Sequence, residues 1–431
     1  MTNPRKRWWR RALWIAGALV AGAVATIVVL NMSNGGANNR AMIEHSFSTA
    51  DPQFVRTMNG TFSTGIIAGN RVETLLNGDE IFPSMLAAIR EARETINFET
   101  YIYWDGMIAE EFAATLAARA REGLEVRVLI DWVGSQPMDP ELITMMTDAG
   151  VRFERFRPLR WYNVDRINNR THRKLLVVDG RVGFTGGVGI ADKWLGDARG
   201  PHEWRENHYR IEGPVVAQMQ AAFAENWRKA AREVLTGDRF YPELAQAGGI
   251  AVQLVKSAAM QGSQDIHQML MMAIASSTEH IRIGMAYFVP DDHSIAHLIQ
   301  ARQRGVEIDI LVPNEHTDAD VVRKASRHFW GGLLRAGVRI HEFQPTMYHS
   351  KFVVVDDRWV TLGSANFDER SFSLNDEANL NVYDEAFARE QIRVFDEDLT
   401  RARQITLEEW ENRPLHDRAR DYFWSWWRPQ F

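Results

Sequence analysis

A chain of 431 residues, 45% hydrophobic and 25% charged, is globular and long enough for two or three domains that each bury a core. Its net charge of −6 argues against a nucleic-acid binder that works by bulk basicity, leaving only a local patch for that role. Cysteine is absent, which excludes a disulfide framework, a thiol nucleophile and thiolate metal ligands.

The first eleven residues carry Arg5, Lys6, Arg7, Arg10 and Arg11 with no acid, and Ala12 to Leu30 follow without a charge. At about 1.5 Å per residue that run reads as a transmembrane helix. Trp8, Trp9 and Trp14 stand where indoles favour the interface. A cleaved signal peptide has the same basic start, but the length of the run and the poor cleavage site after it favour an anchor. The positive-inside rule then puts the N-terminus in the cytoplasm and the body on the outer side of a bacterial membrane. Residues 32–70, rich in Asn, Gly, Ser and Thr, read as a tether.

Helical spacing from Ile81 to Ala92 leads into a strand at Ile96 to Tyr103. A helix from Ala109 to Arg121 leads through Gly123 into a strand at Val126 to Asp131. This strand–helix–strand order implies a largely parallel sheet covered by helices. Pro214 to Leu235 reads as a long amphipathic helix, and Gly248-Gly249 marks the crossing into a second half. There the order repeats: helix Gln264 to Ser276, strand Ile281 to Met285, helix Asp292 to Arg304, strand Glu307 to Val312. The Met-rich MLMMA at Met269 reads as helix core rather than a binding surface. The chain closes on DYFWSWWRPQF, whose rings suit either a membrane interface or packing on the body.

The segments AGVRFERFRP from Ala149 and AGVRIHEFQP from Ala336 show that the two halves are copies. Each copy then runs into one pattern. YHSKFVVVDDRWVTLGSAN carries His349, Lys351, Asp356, Gly363, Ser364 and Asn366; THRKLLVVDGRVGFTGGVG carries His172, Lys174, Asp179 and Gly186. Residues i and i+2 of a strand share a face, so each imidazole points with its ammonium group. Only seven of the 50 basic residues are lysines, and two of the seven sit in this pattern, which makes coincidence a poor explanation.

With these motifs the chain resembles the phospholipase D superfamily with its two HKD motifs, and within it the bacterial cardiolipin synthases. NFETYIYWDG near Asn97, WRENHYRIEGP near Trp204 and GSANFDERSF near Gly363 share that character. The resemblance implies an α/β fold of duplicated lobes, mixed sheets flanked by helices with pseudo-twofold symmetry. The expected division is 1–31 anchor, 32–70 linker, 71–240 lobe one, 241–402 lobe two and 403–431 aromatic tail.

Phosphodiester exchange needs a nucleophile, a proton donor and cations. Imidazole serves either of the first two roles near pH 7. The resemblance brings His172 and His349 together across the phosphate, one attacking to form a phosphohistidine and the other working as acid and base. Lys174 and Lys351 then stabilise the phosphate oxygens, with Ser364 and Asn366 as further donors. By resemblance Glu377, and less securely its lobe-one counterpart Glu206, orient the imidazoles. Asp179 and Asp356 belong to the motif but read as ion-paired structural residues at the strand end. No metal is expected, because an ammonium beside His is repulsive to a cation and no His-Glu-x-x-His or carboxylate cluster occurs. No cofactor is called for.

In lobe one Gly187 and Gly189 replace Ser364 and Asn366, so the site is asymmetric and the attacking histidine stays open. Lobe one also holds ten extra residues before its motif, within LRWYNVDRINNR, a segment with Arg160, Trp161, Tyr162, Arg166 and Arg170 that reads equally as a lip for lipid headgroups or a solvated loop. The implied activity is transfer of a phosphatidyl group to phosphatidylglycerol at a bilayer, with hydrolysis by water as the alternative. Neither reading uses nucleic acid, and the oligomeric state is not legible.

Overall fold

The computed structural model describes residues 4–32, 42–160, 168–258 and 263–431. One fifteen-stranded sheet runs through the molecule. From its middle, lobe one supplies in order Ile67–Leu76, Asn207–Glu212, Val182–Gly186, Leu175–Val178, Thr95–Thr100, Glu125–Asp131 and Arg152–Phe156. Lobe two mirrors it with Ile250–Ser257, Glu377–Tyr383, Trp359–Gly363, Lys351–Val355, His280–Met285, Glu307–Pro313 and Arg339–Phe343, and adds Ala402–Ile405 at its edge. The lobes join where Ile67 pairs with Val252 and Asn70 with Ile250, antiparallel.

The sheet is mixed rather than largely parallel. Pairing is parallel only toward the outer edges, where helices such as Met107–Arg121 carry the chain across. Both motif strands lie in hairpins, and a short turn can join only antiparallel neighbours. Each lobe covers one sheet face with its own helices, burying Phe82, Phe112 and Leu116 in lobe one and Met269, Leu270, Met271 and Met272 in lobe two. The Met run is therefore core. On the other face, Val216–Ala231 and Glu385–Leu399 pack on strands of both lobes in one shared cluster that couples the halves.

The expected transmembrane helix is corrected. Pro4–Met32 is one helix, but among the described residues no helix is long and apolar enough to cross a membrane. The orientation across a membrane rested on that anchor and goes with it.

Residues 33–41 of the expected tether lie outside the described residues. The rest is held to the body: Pro52–Thr61 is a helix started by Asp51, and its Phe54 and Met58 are buried in the lobe-two core. The aromatic tail divides. Trp424 and Phe431 pack against Val289, Val322 and Ala325, while Tyr422, Phe423 and Trp426 are exposed.

Candidate active site

Both motifs enter their strands beside the opposite lobe. His172 N–H donates to Asp376 O at 2.9 Å, and His349 N–H donates to Arg205 O at 2.8 Å. These cross-lobe bridges carry the next residue of each accepting segment to the facing imidazole. His172 Nδ1 lies 2.9 and 3.0 Å from the two carboxylate oxygens of Glu377, and His349 Nδ1 lies 2.5 Å from Glu206 Oε2. Each histidine is thus held by a carboxylate of the other lobe.

His172, Lys174, His349 and Asn366 line a single cavity of about 700 Å³. The lysines are fixed at their roots: Lys174 Nζ donates to His172 O at 3.0 Å and Lys351 Nζ to His349 O at 2.5 Å. Lys351 Nζ also stands 3.1 and 3.3 Å from the ring nitrogens of His349. Asn366 is buried, and its Oδ1 has no hydrogen-bond partner among the described residues. Ser364 stands elsewhere: its hydroxyl donates to Glu377 Oε2 at 2.6 Å, behind the imidazole rather than in the cavity.

Asp179 and Asp356 are not brought to this centre. They lie at the far ends of the motif strands, both at positive φ, and each accepts three consecutive backbone N–H groups. For Asp179 these belong to Arg93, Glu94 and Thr95; for Asp356 they belong to Thr278, Glu279 and His280. Thr49 and Thr278 hydroxyls add to Asp356. They organise the turns into the neighbouring strands, and backbone amides take the place of the expected ion pairs. Within the lobe-one insertion, Trp161, Tyr162 and Arg166 lie outside the described residues. Arg170 is buried, borders the cavity and faces Asp131.

The glycines of lobe one have a physical cause. A Cβ on Gly187 would stand 2.4 Å from Glu206 Oε2, and one on Gly189 would stand 2.8 Å from Ile102 Cβ. Trp194 supplies what the missing side chains do not, donating Nε1–H to Glu206 at 3.3 Å. Its ring also packs on His349, with Trp204 on the same imidazole, whereas among the described residues His172 meets the edge of Tyr101. Sequence reasoning passed over these three rings; the signal available was their place inside NFETYIYWDG and beside WRENHYRIEGP.

Burial sets the electrostatics. It pushes His172 down to about 4 against the pull of Glu377, and holds His349 well below the usual imidazole range with help from Lys351. Burial likewise brings Lys174 down to about 7, with Lys351 as the next cause. Glu377 resists its own burial, because His172, Lys174 and the Ser364 hydroxyl hold it below the usual carboxylate range. Glu206 is lifted to about 7 by burial despite Lys351. Burial thus acts against charge separation in the Glu206–His349 contact.

Two carboxylate-backed imidazoles and two ammonium groups around one cavity suit phosphoryl transfer. Among the described residues no group of side chains could hold a metal ion. The family model for the cardiolipin synthase, phospholipase D-like domain matches residues 85–227 and 270–399. The chain belongs to the cardiolipin synthase family of the phospholipase D superfamily. It is accordingly a phosphatidyltransferase of that superfamily. Cardiolipin synthase A of Pseudomonas putida is 34% identical over 384 residues, 88% of this chain and 80% of that protein. Its counterpart in Pseudomonas entomophila is 37% identical over 348 residues, 80% of this chain and 71% of that protein. The phosphatidylserine synthase of Haemophilus influenzae shares the fold, with a TM-score of 0.68 at 16% identity over 88% of this chain and 99% of that one.

Proposed function

We propose that this enzyme moves a phosphatidyl group through a phosphohistidine to the hydroxyl of a second phosphatidylglycerol, giving cardiolipin and glycerol at a lipid surface. The observation that carries the reading is the crossed pair of buried Glu–His contacts beside a cavity lined by both histidines and Lys174, with Lys351 bonded to His349. The relatives' name supplies the lipid.

His172 is the better nucleophile. An ionised Glu377 fixes the proton on Nδ1 and leaves Nε2 with a free lone pair. Nε2 attacks phosphorus, the bond from phosphorus to the glycerol oxygen breaks, and His349 delivers the proton to that oxygen. The hydroxyl of the incoming phosphatidylglycerol then attacks, His349 takes its proton, and the phosphorus–nitrogen bond of His172 breaks. Lys174, Lys351 and Asn366 face the phosphate oxygens. Ser364, Glu377 and Glu206 position the rings. Hydrolysis by water is the competing outcome, and the apolar stretch of the cavity wall, including Ile102, Val133 and Pro137, disfavours it by limiting water beside the intermediate.

The test is the product mixture from phosphatidylglycerol vesicles. Cardiolipin with free glycerol supports transfer; phosphatidic acid as the main product moves the reading to a hydrolase. His172→Ala and His349→Ala each remove nearly all turnover, and acid-free trapping places the phosphoryl group on His172 of the wild type. An adduct on His349 reverses the two roles.

A further inference from the structure

The pseudo-twofold relation allows the two walls of the cavity to be compared position by position. Lys351 and Lys174 are equivalent, so Phe352 corresponds to Leu175. Phe352 pairs with Gly284 and Leu175 with Glu99, which makes Tyr287 the counterpart of Ile102, three residues further on in each lobe. A second register agrees: Phe288 pairs with Phe367 as Tyr103 pairs with Ile190, so Asn366 answers to Gly189. At these equivalent places lobe one has an isoleucine and a glycine, and lobe two has a tyrosine and an asparagine.

Lobe two adds an acid to its wall. Asp318 lines the cavity, and its Oδ1 accepts the Tyr287 hydroxyl at 2.7 Å. The lobe-one wall runs instead through Ile102, Trp104, Val133 and Pro137. Tyr287 is seated beside the second motif: Ala286 N–H donates to Ser350 O at 3.1 Å, and Phe367 N–H donates to Tyr287 O at 3.1 Å. Among the described lining residues, the tyrosine–carboxylate pair therefore comes from the His349 side, while the apolar side chains Ile102, Trp104, Val133 and Pro137 come from lobe one alongside its basic residues.

We infer that Tyr287 and Asp318, with Asn366 beside them, form the subsite for the glycerol headgroup, both when it leaves and when it arrives on the second lipid. The inference rests on the phosphohistidine reading above, in which His172 attacks and the alcohol enters and leaves on the opposite, His349, side. A carboxylate cannot serve phosphate oxygens, because like charges repel, but it has several acceptor sites, of which the Tyr287 hydroxyl uses one. An ammonium headgroup would also suit a carboxylate taken alone. Lys174, Arg170 and Arg370 line the same cavity and repel a cation, so a neutral polyol that donates hydroxyl hydrogens fits best. The hydroxyls of glycerol that do not react are then read by the Tyr287–Asp318 pair, and the diacylglycerol part of the donor lies along the apolar wall.

The experiment is acceptor partitioning from one intermediate. The full chain is given acyl-labelled phosphatidylglycerol vesicles with equal concentrations of unlabelled ethanol and ethanolamine and of headgroup-labelled free glycerol. The three lipid products are then counted. Because all arise from one phosphoenzyme, their ratio is independent of how much enzyme is folded or how fast it forms the intermediate. Wild type favours glycerol over ethanol. Asp318→Asn and Tyr287→Phe each lower that preference about tenfold, the scale of one hydrogen bond to a charged group. Both variants keep the shape of the wall, and Asp318 stands in an exposed loop, so either alone decides the point. A glycerol-to-ethanol ratio unchanged in both variants overturns the subsite while leaving the phosphohistidine reading in place. Ethanolamine outcompeting glycerol in the wild type also overturns it, by making the ligand a cation. Absence of any alcohol exchange, with phosphatidic acid the sole product, strikes the transferase reading and the subsite with it.

Discussion

Glu377→Gln tests the crossed geometry most directly. Both carboxylate oxygens of Glu377 meet His172 Nδ1, and each already accepts a second donor: Asn375 Nδ2 at 3.2 Å on Oε1 and the Ser364 hydroxyl at 2.6 Å on Oε2. An amide presents one oxygen and one NH2, so the substitution sets donor against donor on one side. The Ser364 hydroxyl can rotate to accept, but the imidazole then loses its charged partner, and the tautomer with the proton on Nε2 becomes competitive. A hydrogen bond to a charged group is worth about 1.5–3 kcal/mol, or roughly 10- to 150-fold. Tautomer loss at an imidazole nucleophile or base can extend this to about 10⁴-fold. Turnover of phosphatidylglycerol to cardiolipin should therefore fall by about 10² to 10⁴ with KM little changed. Ser364→Ala leaves Glu377 ionised and still bonded to Asn375, so its cost should be near one ordinary hydrogen bond, about five- to tenfold. Vesicle assays of the two variants side by side give the answer. A Glu377→Gln enzyme within tenfold of wild type, or a Ser364→Ala enzyme equally impaired, would refute the claim that this carboxylate holds the working tautomer.

Further outcomes follow from the buried charges. Lys174, brought down to about 7, loses its proton as pH rises, so kcat/KM should fall above about pH 7; in Lys174→Arg the alkaline limb should move upward even if activity is lower, because guanidinium stays charged. Glu99 is fully buried and lifted to about 7 by burial. Its folded pKa exceeds its unfolded value near 4.5, so its contribution to stability is complete below pH 4.5 and is lost as pH rises through 7. Glu99→Gln should consequently gain on wild type by about 3 kcal/mol between pH 4.5 and pH 8, read from urea midpoints; a constant gap would count against it. Asp356→Ala strips acceptors from three backbone N–H groups and two hydroxyls, and should lower stability by about 3 kcal/mol in thermal melts, with Asp356→Asn milder. Equal melting temperatures for Asp356→Ala and wild type would show that the turn does not need the carboxylate.

The lobes and their motifs were legible because duplication writes the same spacing twice, and a strand's two-residue period ties His to Lys without any tertiary knowledge. Helix and strand positions follow from hydrophobic spacing; the strand expected at Glu307 to Val312, for example, forms as Glu307–Pro313. What spacing cannot carry is partner choice across the sheet. Ser364 reads as a cavity donor from its place after the motif, yet the bridge that brings Asp376 to the His172 segment puts Glu377 within reach of its hydroxyl. Asp179 and Asp356 read as ion-pair residues because a charged side chain at a strand end invites that reading. Their positive φ and the amide clusters they cap depend on the turn of a neighbouring strand some eighty residues away. The sheet departs from a largely parallel one for a related reason: helical crossovers are visible in sequence, whereas the antiparallel centre is made by hairpins and returning strands within each copy, with one further antiparallel pairing between the copies.

The meeting of the lobes also ties the surroundings of each histidine to the opposite copy. Each lobe carries a histidine, a lysine and a carboxylate, but no lobe holds a complete set for itself, since His172 needs Glu377 and His349 needs Glu206. Local changes in one copy therefore act on the other copy's histidine. Gly187, by giving Glu206 room, and Trp194, by donating to it, shape the surroundings of His349 from lobe one. Ser364 and Asn375 in lobe two hold the carboxylate of His172. A symmetric arrangement would give both imidazoles the same proton affinity, and neither would be preferred as nucleophile or as acid. The unequal donors hold Glu377 below the usual carboxylate range, while burial lifts Glu206 to about 7. On the proposed reading, these unequal donors to the two carboxylates are what let a duplicated fold run the reaction in one direction.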